Sequence, residues 1–103
     1  MNRLPKVKQA SDCGFVYVAR RGNAYKIGFS RRGVARRVRD ARAVLVLTIP
    51  VIQRPSVLEY ALNKRFADKR LPPQGVRDGD KREWFALTDE DLDWLRGFAK
   101  SLS

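Results

Sequence analysis

Two side chains on what reads as a β-hairpin carry the first chemical signal. Phe15-Val16-Tyr17-Val18-Ala19 is β-branched and aromatic, Arg20-Arg21-Gly22-Asn23 supplies a turn, and Ala24-Tyr25-Lys26-Ile27-Gly28-Phe29 runs back beside it. Tyr17 falls mid-strand and Lys26 on the paired strand, with Gly28 two residues further on. A phenol ionises near pH ~10, so it serves as a base only where cations lower that value. The Lys26 ammonium is the neighbour placed to do this, to position a nucleophile, or to act as base itself if desolvated. Singly, each has an ordinary reading, a half-buried aromatic and a solvated strand charge. With Gly28 beside them they read as a pair.

The second signal is a crowd of guanidinium groups: Arg31, Arg32, Arg36, Arg37, Arg39 and Arg42 follow the hairpin. Each is a rigid donor fork that matches two phosphate oxygens at once. Val34, Val38 and Ala41 recur at helical spacing, which predicts a helix over Val34–Ala43 with a narrow apolar stripe. Taking about 100° per residue from Val34, Val38 lies near 40° and Ala41 near 340°, so these define the inward face. Arg37 then falls near about 300°, on the flank of that face, while Arg32, Arg36 and Arg39 point outward between about 140° and 200°. Arg37 is the arginine expected to reach a cleft beside the sheet. Arg31, Arg32, Arg36 and Arg39 are expected to meet a phosphate backbone.

The rest of the chain must position these groups. Val44–Gln53 is a near-continuous apolar run and reads as a buried strand, ended or bulged by Pro50. Pro55 to Glu59 opens a helix with Leu58, Ala61, Leu62 and Phe66 facing inward, and Ser56-Val57-Leu58-Glu59 has the form of a capping box. Leu71–Lys81, with its prolines and glycines, reads as the one long loop. Arg82–Leu87 reads as a short final strand with Trp84-Phe85 plugging the core, and Thr88-Asp89-Glu90-Asp91 as the cap of a last helix with Leu92, Leu95 and Phe98 inward. The expected organisation is a flexible basic arm over 1–13 and a single α+β domain over 14–103, with a core at 14–87, a C-terminal helix at 88–101 and the order β-β-α-β-α-β-α.

Composition bounds what this domain does. The chain has 103 residues, 22 Lys and Arg against 11 Asp and Glu, a net charge of +11 and no histidine. That excludes imidazole bases, Cys/His zinc sites and Ser-His-Asp triads. Cys13 is the single cysteine, so no disulfide forms within the chain, and a reducing compartment is expected. No apolar stretch approaches the ~20 residues of a membrane helix. Met1–Ala10 is polar and lacks the apolar region of a leader peptide. A cytoplasmic or nucleoid-associated location is the expectation. The charge is lopsided: residues 1–43 hold 12 basic and 2 acidic side chains, a surplus of ten, whereas residues 44–103 hold 10 and 9. A concentrated positive field suits a polyanion, DNA first and RNA second.

The string Val16-Tyr17-Val18, then Tyr25-Lys26-Ile27-Gly28-Phe29-Ser30, an arginine-bearing helix, Glu59, and Glu83-Trp84-Phe85 resembles the GIY-YIG nuclease superfamily. It is most similar to the short phage-associated and meiotically regulated branch, in which lysine replaces the second signature tyrosine. The resemblance implies a three-stranded, mainly antiparallel sheet flanked by helices. It also implies an endonuclease that hydrolyses DNA with one divalent ion, Mg²⁺ or Mn²⁺. By that likeness Tyr17, Lys26, Arg37 and Glu59 are the catalytic candidates, with Glu59 the metal ligand, Gly28 the signature glycine, and Tyr25 and Asn63 auxiliary. Counting from Gly28 favours Arg36 as the essential arginine, whereas the apolar residue that follows it favours Arg37. Asn63 stands where the branch carries a histidine, and an amide exchanges no proton at neutral pH. A nucleic-acid-binding module that cuts weakly or not at all is therefore the alternative reading.

Overall fold

The computed structural model describes residues 13–71 and 84–102. The arm apart from Cys13, the long loop beyond Leu71, and Arg82 and Glu83 lie outside them. The hairpin forms as expected: β1 (Gly14–Arg21) and β2 (Ala24–Ser30) pair antiparallel, with Tyr17 opposite Gly28 and Ala19 opposite Lys26. Gly22 takes a φ of 63° in the turn, a left-handed conformation that glycine adopts without steric cost. Next come α1 (Ala35–Asp40), β3 (Val44–Val51), α2 (Pro55–Arg65) with a 3₁₀ turn at Ala67–Lys69, β4 (Trp84–Phe85) and α3 (Asp89–Ser101). The α+β class and the element order are those expected.

The sheet has four strands, not three, in the order β3-β1-β2-β4, and every pairing is antiparallel. The fourth is only Trp84 and Phe85, held on the outer side of β2 by the pairs Lys26–Trp84 and Tyr25–Phe85. Alternation sends these two aromatics to opposite faces of the sheet, so they do not plug one core together. Phe85 joins Val16, Val18, Ile27, Ile49, Leu62, Phe66, Leu92 and Leu95 in the main core. On the other face Tyr17 and Ala19 pack against Val38.

The apolar run of β3 is an edge strand rather than a buried one, with Val44 59% and Leu45 43% exposed. Pro50 lacks the N–H that a central strand must donate, and an edge accommodates that defect. The strand ends at Val51, and the register shift lies between Val18 and Ala19 rather than at Pro50. In α2, Leu62 is buried and Leu58 half-buried, and Phe66 just past its end is buried, but Ala61 is exposed. The first predicted helix shortens to six residues because Arg42, at φ 56°, turns the chain out of it.

Thr88 caps α3 as the sequence predicts. The Asp91 amide donates to Thr88 Oγ1 at 3.1 Å, and the Thr88 amide donates to Asp91 Oδ2 at 2.9 Å. Lys69 donates to the same carboxylate oxygen and so ties the 3₁₀ turn to α3. Burial pushes the Asp91 carboxyl up, but its bonds to Lys69 and Thr88 outweigh that and hold it below the usual carboxylate range. A folded value below the unfolded one adds stability that is complete above pH ~4 and lost as pH falls through the folded value. Asp91→Asn is expected to cost about 1 kcal/mol near neutral pH, a drop of several degrees in melting temperature. The gap to wild type should close on acidification; thermal melts across that range check it, and a gap indifferent to pH would remove the electrostatic part.

Candidate functional site

Strand alternation decides which side chains can meet. Tyr17 and Ala19 project from one face of β1, and their register partners Gly28 and Lys26 complete a patch on that face. The helix α1 lies over the patch through Val38. Arg21, at the end of β1, donates from its guanidinium to the Ala41 carbonyl at 2.9 Å, satisfying a carbonyl at the C-terminal end of α1. Tyr17 is 1% exposed, and its ring runs directly across Gly28. A Cβ at Gly28 would stand 2.7 Å from Tyr17 Oη and 2.8 Å from Cζ. The signature glycine is there because the phenol occupies the space of its side chain.

A cleft of about 900 Å³ opens beside this patch, lined by Tyr17 and Lys26 from the hairpin, Arg31 and Arg32 from the following loop, and Arg36, Arg37 and Asp40 from α1. Residues from two strands, a loop and a helix thus converge, with five cations facing one carboxylate. Their field sums over one concave surface, which is where a phosphate backbone gains most. Ser30 shapes the rim. Its buried hydroxyl donates to the Gly33 carbonyl at 2.6 Å and accepts from the amides of Gly33 at 3.2 Å and Arg32 at 3.4 Å, closing a tight turn. Sequence reasoning singled out neither Ser30 nor Asp40. Ser30 had a signal in its Ser-Arg-Arg-Gly context, a hydroxyl-stabilised turn. Asp40 had none beyond its place at the end of α1.

Arg36 and Arg37 both line the cleft, so the helical angles overstate their separation. The cleft runs along α1 from Ala35 to Ala41, and an arginine side chain is long enough to reach it from either position. Arg39 is exposed and does not line the cleft. Tyr25 belongs to the opposite face, packed against the main core.

Glu59 and Asn63 sit on α2, whose apolar side packs on the main core. The capping box expected at Ser56–Glu59 does not form. Pro55 takes the first helical turn, where its missing N–H costs nothing, and the N-cap is Arg54 in a left-handed conformation with φ 51°. Glu59 therefore stands in the second turn and plays no part in capping. It does not line the arginine cleft. Its helix nevertheless starts at the rim: a Cβ built on Gly14 would lie 2.8 Å from Ser30 O, 2.9 Å from Pro55 Cγ and 3.2 Å from Arg31 Cα, so β1, β2 and α2 meet at this corner. Asn63 donates from Nδ2 to the Glu59 carbonyl at 2.7 Å, and its Oδ1 is buried with no hydrogen-bond partner among the described residues. Among those residues no group of three or more Asp, Glu or Cys side chains converges. Mg²⁺ does not demand one, since one or two protein oxygens suffice when waters and substrate phosphates complete the shell. Half-buried Glu59 on α2 is the one carboxylate that the sequence reading offers for such a shell.

An antiparallel sheet with an arginine-rich cleft on one face and its core on the other defines a small α+β domain shaped for polyanions. The chain belongs to the T5orf172 domain family, which it matches over residues 14–100. This is a phage-associated domain family linked to nucleic-acid interaction. No curated protein and no solved structure matches the chain. Among the described residues no helix is long and apolar enough to cross a membrane.

Proposed function

We propose that this domain is an endonuclease of the GIY-YIG type that hydrolyses DNA phosphodiester bonds with a single Mg²⁺ or Mn²⁺ ion. The observation that carries the reading is the meeting of Tyr17, Lys26, Arg36 and Arg37 in one cleft although they come from three separate elements. Arg31 and Arg32 hold a backbone phosphate at the rim, and Arg36 or Arg37 forks onto its non-bridging oxygens as negative charge builds there. A water oxygen bonds to phosphorus while the bond from phosphorus to the leaving sugar oxygen breaks. The water's proton passes to the Tyr17–Lys26 pair, and the leaving oxygen is protonated from solvent. Glu59, whose helix starts at the rim of the cleft, would hold the divalent ion, which when bound supplies neutralisation of phosphate charge.

A second reading has its own support. Glu59 stands off the cleft wall, and Asn63 replaces the expected histidine, an arrangement suited to a DNA- or RNA-binding module that keeps the surface and not the chemistry. Nicking of supercoiled plasmid separates the two. The nuclease reading expects Mg²⁺-dependent nicking that EDTA abolishes and Glu59→Ala lowers by about 100-fold or more. Binding of duplex without nicking in either Mg²⁺ or Mn²⁺ would hand the function to the second reading.

A further inference from the structure

Trp84 is wholly buried, yet its place opposite Lys26 puts it on the cleft face of the sheet rather than in the main core. Two cations approach its ring: the Arg21 guanidinium carbon lies 4.3 Å from the ring centre and Lys26 Nζ 5.9 Å. Both fall within the ~6 Å over which an indole face, the strongest aromatic partner, attracts a cation. Each of those cations holds part of the cleft. Lys26 lines it directly, and Arg21 grips the carbonyl of Ala41, another lining residue, at the end of α1. The Trp84 Nε1–H is buried with no hydrogen-bond partner among the described residues. An unsatisfied buried donor is a penalty that phenylalanine would avoid, so packing alone does not account for an indole here. A carboxylate would hold the same cations but would cancel the field that draws phosphate. An aromatic face attracts a cation without adding a negative charge to the cleft.

We infer that Trp84 is a positioning residue: its ring fixes Lys26 and, through Arg21, the arginine-bearing α1 in the geometry that receives a backbone phosphate. The inference rests on the nucleic-acid reading of the cleft. Its test compares Trp84→Phe, Trp84→Leu and Arg21→Met with wild type in thermal melts and in titrations of a short labelled DNA duplex in EDTA across a salt series. Trp84→Phe should melt within a few degrees of wild type, since the relieved donor offsets the lost packing, and should bind slightly more weakly. Trp84→Leu should bind roughly fivefold more weakly with an unchanged slope of affinity against salt, because no phosphate contact is removed. Arg21→Met should lose a similar amount, and the double variant no more than either single one. A folded Trp84→Leu that binds like wild type overturns the inference. Losses that follow melting temperature alone, or that simply add in the double variant, overturn it too. Wild type that binds no duplex removes the underlying reading, and this inference with it.

Discussion

Replacing Gly28 with alanine is expected to unseat Tyr17 and to destabilise the domain by about 1–3 kcal/mol, the usual range for overfilling a packed site. The new methyl would stand 2.7 Å from the phenol oxygen and 2.8 Å from the ring carbon that bears it. Retreat is barred, because the ring is 1% exposed and clamped by Val38 and Ala19. The strand cannot easily yield either, since Gly28 is held in register opposite Tyr17 itself within the β1–β2 ladder. For a domain of this size the loss corresponds to a fall in melting temperature of several degrees per kcal/mol. Nicking should fall further than stability, because the displaced group is the proposed base. The check is a double-mutant cycle with Tyr17→Ala, in which the methyl meets no ring and Gly28→Ala should cost far less. An equal cost in both backgrounds would show that the glycine answers to something other than the phenol.

That contact illustrates what the sequence could disclose and what it could not. The hairpin was legible because strand period and turn residues agree, and the two faces of β1 follow from alternation alone. The Thr88 cap was legible because its partner lies three residues away. Harder to read were features that depend on which element lies alongside. Val44–Val51 has the composition of a buried strand, but its place at the edge is set by the pairing order. Ser56–Glu59 has the letters of a capping box, yet Pro55 moved the helix start upstream and left Glu59 in the second turn. The adjacent Trp84 and Phe85 serve opposite faces, which became visible once β4 had a partner.

The site shows the same division. Tyr17, Lys26 and the arginines were identified by type and spacing, and the fold gathers most of them into one cleft. Ring positions on a helical wheel separated Arg36 from Arg37 too sharply, since both line the cleft. They ignore the reach of an arginine, which is longer than the arc between neighbouring positions. Arg21 and Trp84 went unnoticed as contributors, because a contact between the end of β1 and a strand some sixty residues later has no local signature.

In the proposed nuclease two side chains that share the cleft compete for the role of essential arginine, and the fold supplies grounds for choosing between them. Arg37 immediately precedes Val38, whose side chain is buried against Tyr17, so its backbone is held close to the phenol. Arg36 is one residue further from that anchor. A group that meets charge developing in the transition state affects turnover, whereas one that meets a ground-state phosphate affects affinity and its dependence on salt. Arg37→Ala is therefore expected to lower the nicking rate at saturating DNA by about 100-fold or more, with duplex affinity weakened only modestly. Arg36→Ala should weaken binding and reduce the salt slope by about one while keeping most of the rate on bound DNA. Arg39→Ala, outside the cleft, should leave the rate on bound DNA unchanged. Single-turnover nicking paired with salt-dependent binding reads all three. If Arg36→Ala loses turnover while Arg37→Ala keeps it, the count from Gly28 is the better guide and the two roles exchange.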